Sequence, residues 1–499
     1  MTSTSERPVV ATRSGAVRGT WRDGSAAFLG IPFAEPPVGE LRFQAPVPHR
    51  PWEGVRPADQ YGATPQRKAL AEVTLIPEPS IPGESTLNLN VFTPSPVDAG
   101  GAGLPVLVWI HGGGYVAGSP SSPWYDGAAF NRDGVVTVSV SYRLGVDGFG
   151  WIEDAPRNRG VLDWLLALEW VRGNIAAFGG DPSNVTISGQ SAGGGAVLTL
   201  LGCPRAQQLF NRVISLSGPP TSVTMDASEA LGRKLAELGG VAPTVAGLST
   251  LTEAEVLALQ GRVSSVGGND GETDPIAGLA AMLGDGLTLG PVIDGNLIPL
   301  PTAEALASGI GGDKALILGT TDHEFGMVLA GAGEALSGVP AAGILGAVGA
   351  DPEVIGAYVA DHPGLGTGDL VGQYVTDHMF RAPALNLAEL REGVQAPTWL
   401  YRFAWNSPTV GGACHCLDVP FMFDCLDAER IAPLAGAEPP QALADEVHGS
   451  AVSFIATGDP GWPAWDDSQR AVRVYDVPTT VVADGYADAR ALLPERATR

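Results

Sequence analysis

Six short runs of β-branched and aliphatic residues constrain this chain more than any other feature: Val106–Ile110, Val135–Val140, Val185–Ile187, Val213–Leu216, Ala315–Leu318 and Trp399–Phe403. Longer stretches separate them. Parallel strands need a crossover to bring the chain back, so apolar runs alternating with helical patterns predict an α/β fold: a large, mostly parallel sheet flanked by helices. The clearest helical pattern spans about Gly160 to Phe178. There Leu162, Leu165, Leu166, Leu168, Val171, Ile175 and Phe178 recur at three- and four-residue steps, until Gly179-Gly180-Asp181-Pro182 stops them. That helix is expected to pack on the sheet just ahead of Val185–Ile187.

The third run leads directly into Gly189-Gln190-Ser191-Ala192-Gly193, and small residues follow it through Leu198. A serine between two glycines at a sharp strand-to-helix turn has the form of a nucleophile elbow, with the glycines letting neighbouring chain approach and Oγ left exposed. The following helix directs its first amides at the same spot, where they would meet developing negative charge. Such a serine needs a base, an orienting acid and an oxyanion hole. Trp109-Ile110-His111-Gly112-Gly113-Gly114 follows a strand-like run, and its glycines allow backbone N–H groups to face a substrate oxygen. Gly113 and Gly114 are the expected donors, with Ala192 as the third. Among the seven histidines, His415 stands in a glycine-led loop well downstream of the serine. A serine, acid, histidine order then puts the acid between them, just after a strand. Asp322 and Glu324 both fit by spacing.

Composition narrows the partners. The 499 residues carry 29 Lys+Arg against 54 Asp+Glu, a formal charge of -25, which repels phosphate backbones and anionic membrane surfaces. No nucleic-acid or membrane partner is expected, and no run approaches the roughly 20 apolar residues of a membrane span. The first residues show no basic stretch followed by an apolar one, and Cys203, Cys414, Cys416 and Cys425 form no disulfide framework. A cytoplasmic protein, monomeric or homodimeric, is the expectation. Cys414 and Cys416 flank His415, but alternate residues of an extended segment point apart and no second pair completes a tetrahedral set, so no metal is expected. Both are read as packing residues. No cofactor is expected either.

Several ordered motifs together resemble the type-B carboxylesterases, the family of the bacterial p-nitrobenzyl esterases and the cholinesterases. They are Phe28 through Phe43 (FLGIPFAEPPVGELRF), the HGGG segment, Phe178 through Gly194 (FGGDPSNVTISGQSAGG) and Phe454-Ile-Ala-Thr-Gly-Asp-Pro460. The likeness runs from about residue 8 to about 480. It implies an α/β-hydrolase fold, here a single catalytic domain over 8–490, with loop and helical insertions forming the active-site gorge; the irregular stretches near 61–84 and 261–290, rich in Gly, Pro, Glu and Asp, are candidates for those insertions or else surface loops. The motif Gly319-Thr320-Thr321-Asp322-His323-Glu324 selects Glu324 over Asp322, and His415 aligns with the family's catalytic histidine.

The resemblance further implies serine carboxylesterase chemistry on an uncharged, medium-sized ester, with Gln190, Trp124, Tyr125, Phe325, Phe380 and Phe421 near the pocket. The alternatives are a carbamate or amide hydrolase using the same Ser191, Glu324 and His415, and a catalytically silent binding protein. Activity is expected to fall below roughly pH 6–7, where the base protonates. Gln190 departs from the family's usual Glu and removes a charge beside the site. Thr64-Pro65-Gln66 and Glu84-Ser85-Thr86 stand where relatives carry two bonded cysteines, so the loop between them is expected to be more mobile. Glu84 and Arg143 match a structural ion pair of relatives. Ser217 and His448 resemble a second buried polar pair, read as a core hydrogen bond.

Overall fold

The computed structural model describes residues 7–22, 24–65, 76–94, 103–264, 279–280, 283–284, 288–326 and 338–494. Residues 66–75 of the first expected insertion, and most of the second, lie outside the described residues. Strands occur at β1 (Val9–Thr12), β2 (Gly15–Arg18), β3 (Thr20–Arg22), β4 (Ser25–Pro32), β5 (Val55–Pro57), β6 (Asn88–Thr93) and β7 (Leu104–Ile110). They continue with β8 (Val136–Val140), β9 (Gly180–Gln190), β10 (Arg212–Leu216), β11 (Ala315–Thr321), β12 (Thr398–Phe403), β13 (Ala471–Tyr475) and β14 (Thr480–Ala483). A small sheet joins β1, β2 and β5, and an eleven-stranded sheet has the order β14-β13-β12-β11-β10-β9-β7-β8-β6-β4-β3.

From β8 through β7, β9, β10, β11 and β12 to β13, every pairing is parallel. Antiparallel pairs lie at the margins, where β6, β4 and β3 extend one side and β14 the other. The six apolar runs are thus the six central strands β7 to β12. Their side chains alternate between two cores, as a strand's twofold period requires: Val106, Val108 and Ile110 enter one, Leu107 and Trp109 the other. Strands buried on both faces need no polar alternation, which is why they read as continuous apolar runs.

The amphipathic stretch ahead of β9 is a helix over Arg159–Asn174, and its expected last turn tightens to a 3-10 turn over Ile175–Phe178. The Asn174 amide donates to the Trp170 carbonyl, and Gly179 takes a left-handed φ of 88° that ends the coil. Strand β9 then runs straight into the helix Ala192–Leu201, every residue of which is buried.

The helix Arg159–Asn174 also overturns one expectation. The ion partner of Arg143 is Asp163, not the exposed Glu84: Nε and Nη2 meet the two carboxylate oxygens at 2.9 and 2.6 Å, and the Arg143 N–H donates to the same group. A fully buried carboxylate on the helix needs a charged, forked partner, whereas an exposed one does not. Where relatives were expected to have a disulfide, Thr64 pairs with Ile81 instead. Their main chains bond at 3.0 Å, and the Ile81 N–H donates to Thr64 Oγ1 at 2.9 Å. The Asn88 amide ties the Ala63 and Ser85 carbonyls from below.

Candidate active site

Ser191 sits between β9 and its helix with φ 58° and ψ −126°, a conformation that costs an L-residue strain unless its surroundings hold it. Two contacts hold it: its N–H donates to Leu216 on β10, and its carbonyl accepts from Gly195. The flanking glycines are required by crowding. A Cβ on Gly193 would overlap the Ile110 carbonyl, and one on Gly189 would stand 2.6 Å from the same oxygen.

After β7 the chain turns through Gly113 and Gly114 at φ 111° and 60°. The Gly113 carbonyl accepts from Val116 and Ala117, which folds the glycines into a tight loop. That loop lies against the elbow, since a Cβ on Gly112 would come within 3.1 Å of Ser191 Cβ. Among the described residues, the N–H groups of Gly113, Gly114 and Ala192 donate to no protein acceptor. Unspent donors beside a partly exposed serine are what an oxyanion needs.

The end of β11 and the loop before Asp418 are joined by a ladder. The His323 N–H donates to the Ala413 carbonyl, the Ala413 N–H to His323 Nδ1, and the His415 N–H to the Glu324 carbonyl. Within it, Glu324 Oε2 lies 2.5 Å from His415 Nδ1 while Oε1 accepts from the Thr321 N–H. Asp322 points elsewhere: Arg402 on β12 grips both its oxygens, at 2.8 and 2.7 Å. The two carboxylates left open by spacing are therefore separated by their partners, with Glu324 at the imidazole and Asp322 anchoring the turn.

His415 is deeply buried, which disfavours its cation, but the adjacent Cys416 and the Glu324 carboxylate outweigh burial and raise its pKa well above the usual 6.5. Its Nε2 lies 3.0 Å from the amide nitrogen of Gln190, the residue preceding the serine. Phe325 stacks on the ring with centroids 4.8 Å apart, and Phe380 lies 5.2 Å away. Phe380 belongs to a π-helical turn over Asp377–Arg381, a rare geometry enriched at functional sites.

Other expected pocket residues are not brought to the imidazole. Trp124 is fully buried with its indole N–H on the Glu429 carbonyl, Tyr125 packs on Trp109, and Phe421 packs on Phe403 and Trp405. Nor do Ser217 and His448 pair. His448 bonds the Met422 carbonyl and Asp133, which its position on the helix Gln441–Thr457 brings within reach. Ser217 holds φ 46° at the end of β10 and donates its N–H to Gly319. Burial pushes the Cys414 thiol up to about 12, so it stays protonated and packs. Sequence reasoning missed Asp418, which takes the Tyr401 hydroxyl at 2.7 Å and is pushed up to about 7 by burial. Its only sequence signal is its place three residues after His415.

Parallel strands around a strained serine elbow, with an acid just after β11 and a histidine in the loop after β12, define the α/β-hydrolase fold. The structure of a Geobacillus stearothermophilus carboxylesterase, EST55, superposes with a TM-score of 0.83 at 31% identity, covering 98% of this chain and all of that one. A PNB esterase structure superposes at 0.81 with 30% identity and the same coverage. The chain belongs to the carboxylesterase family, whose model matches residues 6–339 and 358–484. It is similar to the para-nitrobenzyl esterase of Bacillus subtilis, 33% identical over 97% of both chains. It is also similar to the phenmedipham hydrolase of Pseudarthrobacter oxydans, 32% identical over 94% of this chain and 95% of that protein. The protein is a carboxylic ester hydrolase.

Proposed function

We propose that Ser191 is the nucleophile of a two-step acyl transfer carried out by a single catalytic domain over 8–490. His415 removes the Ser191 proton as Oγ attacks the ester carbonyl, and Glu324 holds the Nδ1–H tautomer and stabilises the imidazolium that forms. The N–H groups of Gly113, Gly114 and Ala192 receive the oxyanion. The alcohol leaves with the proton His415 returns, and water repeats the path to release the acid. The observation that carries this reading is the Glu324–His415 contact at 2.5 Å, with the other ring nitrogen 3.0 Å from the amide of Gln190, the residue before the serine.

The substrate is an uncharged, medium-sized ester. Phe325 and Phe380 offer apolar surface beside the base, and Gln190 is neutral where a carboxylate would draw a cationic alcohol. Every group in the scheme comes from one chain, so no second copy is required. Cytoplasmic residence is supported by four free cysteines. The test is hydrolysis of p-nitrophenyl acetate, butyrate and octanoate from pH 6 to 9 by the wild type and Ser191→Ala. Turnover that is lost in the variant sustains the assignment, and the chain-length ranking sizes the acyl pocket. Equal turnover in both would sink it.

A further inference from the structure

Once His415 is neutral, the lone pair that the base uses faces a donor other than the serine. With Nδ1 against Glu324, neutral His415 carries its proton on that nitrogen and its lone pair on Nε2, and Gln190 places an amide N–H donor 3.0 Å from it. Among the described residues, Ser191 Oγ makes no hydrogen bond to His415. Gln190 is 1% exposed, and its amide oxygen lies against Gly112, close enough that a side chain there would meet it at 3.0 Å. The side chain has little room to wander.

We propose that Gln190 is a positioning residue that holds the base idle: in the free enzyme its amide N–H caps Nε2 of neutral His415 and must yield to the Ser191 hydroxyl before proton transfer. The inference rests on the reading of His415 as the base. A carboxylate in this place has no proton to offer a neutral imidazole and would bind the imidazolium instead. The amide does the reverse and favours the neutral ring. The other groups facing the ring differ in sign or kind. Glu324 favours the cation from the Nδ1 side, Cys416 lies beside the ring and acts in the same direction, and buried Asp418 acts through space. The Phe325 and Phe380 rings carry no charge.

The test compares Gln190→Met, which keeps length and loses the donor, with Gln190→Glu, using Ser191→Ala as control. Thermal unfolding establishes that each is folded. The readouts are the pH profile of kcat/KM on p-nitrophenyl butyrate and the rate of inactivation by phenylmethylsulfonyl fluoride. Loss of one neutral hydrogen bond predicts about fivefold faster inactivation of Gln190→Met on the high-pH plateau, with an acid limb about half a pH unit higher. Gln190→Glu moves the limb up by more than about one unit. If Gln190→Met does not fold, Gln190→Glu reads the same limb. Unmoved limbs and inactivation rates, with Ser191→Ala inactive and the sulfonyl group mapped to Ser191, overturn the idle-base assignment alone. Wild-type turnover by Ser191→Ala overturns both readings.

Discussion

Glu324 and His415 are tied to each other twice, through Oε2 and Nδ1 at 2.5 Å and through the His415 N–H and the Glu324 carbonyl at 2.9 Å. The main-chain bond fixes the spacing of the two backbones, so the side-chain contact does not depend on rotamer choice alone. Glu324→Gln keeps the shape of this contact and loses the charge. It is expected to lower kcat by about 10⁴-fold, and Ser191→Ala by roughly 10⁴–10⁶-fold, with little change in thermal unfolding. Steady-state hydrolysis of p-nitrophenyl butyrate, with a melting curve for each variant, measures both.

The pH limb follows from the direction of the His415 shift. The base acts when neutral, and a folded pKa above 6.5 keeps it protonated to a higher pH than a free imidazole. Activity is therefore lost as pH falls through a midpoint above 6.5, in contrast to the roughly pH 6–7 expected of an unperturbed histidine. A kcat/KM profile of the free enzyme checks this, and a midpoint at or below 6 would contradict it.

Asp322 and Arg402 separate scaffold from chemistry. Their side chains are 13% and 23% exposed and joined by two bonds, so Asp322→Asn is expected to cost about 1–3 kcal/mol of stability. Because Asp322 does not touch the imidazole, the acid limb should stay in place. Denaturant midpoints read with the pH profile distinguish this from a direct role, in which the limb would move.

Asp418 carries a stability signature of its own. Burial raises its pKa from 3.8 to about 7, so its contribution is fully present below 3.8 and is lost as pH rises through about 7. Asp418→Asn removes that titration. Relative to the wild type, the variant should gain stability at pH 8 over what it shows at pH 5. Urea midpoints at the two pH values decide it, and an unchanged difference between the proteins would refute the assignment.

The central fold was legible because strands buried on both faces leave continuous apolar runs, and β7 to β12 all announced themselves in this way. The margins were not. Strands such as β3 and β14 are short and exposed, and their pairing is set by neighbours rather than by their own residues. The serine and the glycine loop were legible because turn geometry demands particular residues, and His415 because of its place downstream of the serine and its match to the family's histidine. Glu324 needed the resemblance, since Asp322 occupies an equally plausible spacing and only Arg402, 80 residues away, distinguishes the two. Trp124 and Phe421 show the limit of analogy. An aromatic residue near a pocket and one packed beneath it have the same sequence. The partner of Gln190 lies 225 residues downstream and left no pattern to read.

The crowding at Gly189 and Gly193 separates what can be redesigned from what cannot. Backbone meets backbone there with no room for a methyl group, so saturation libraries at these positions should return glycine alone. Phe325 stacks on the working ring and Phe380 lies tilted beside it, and changes in their shape alter what lies beside the base without disturbing how it is held. Selectivity in this scaffold is thus a problem of upholstery rather than of framework, and directed evolution aimed at those two aromatic positions can change preference while the chemistry continues to run.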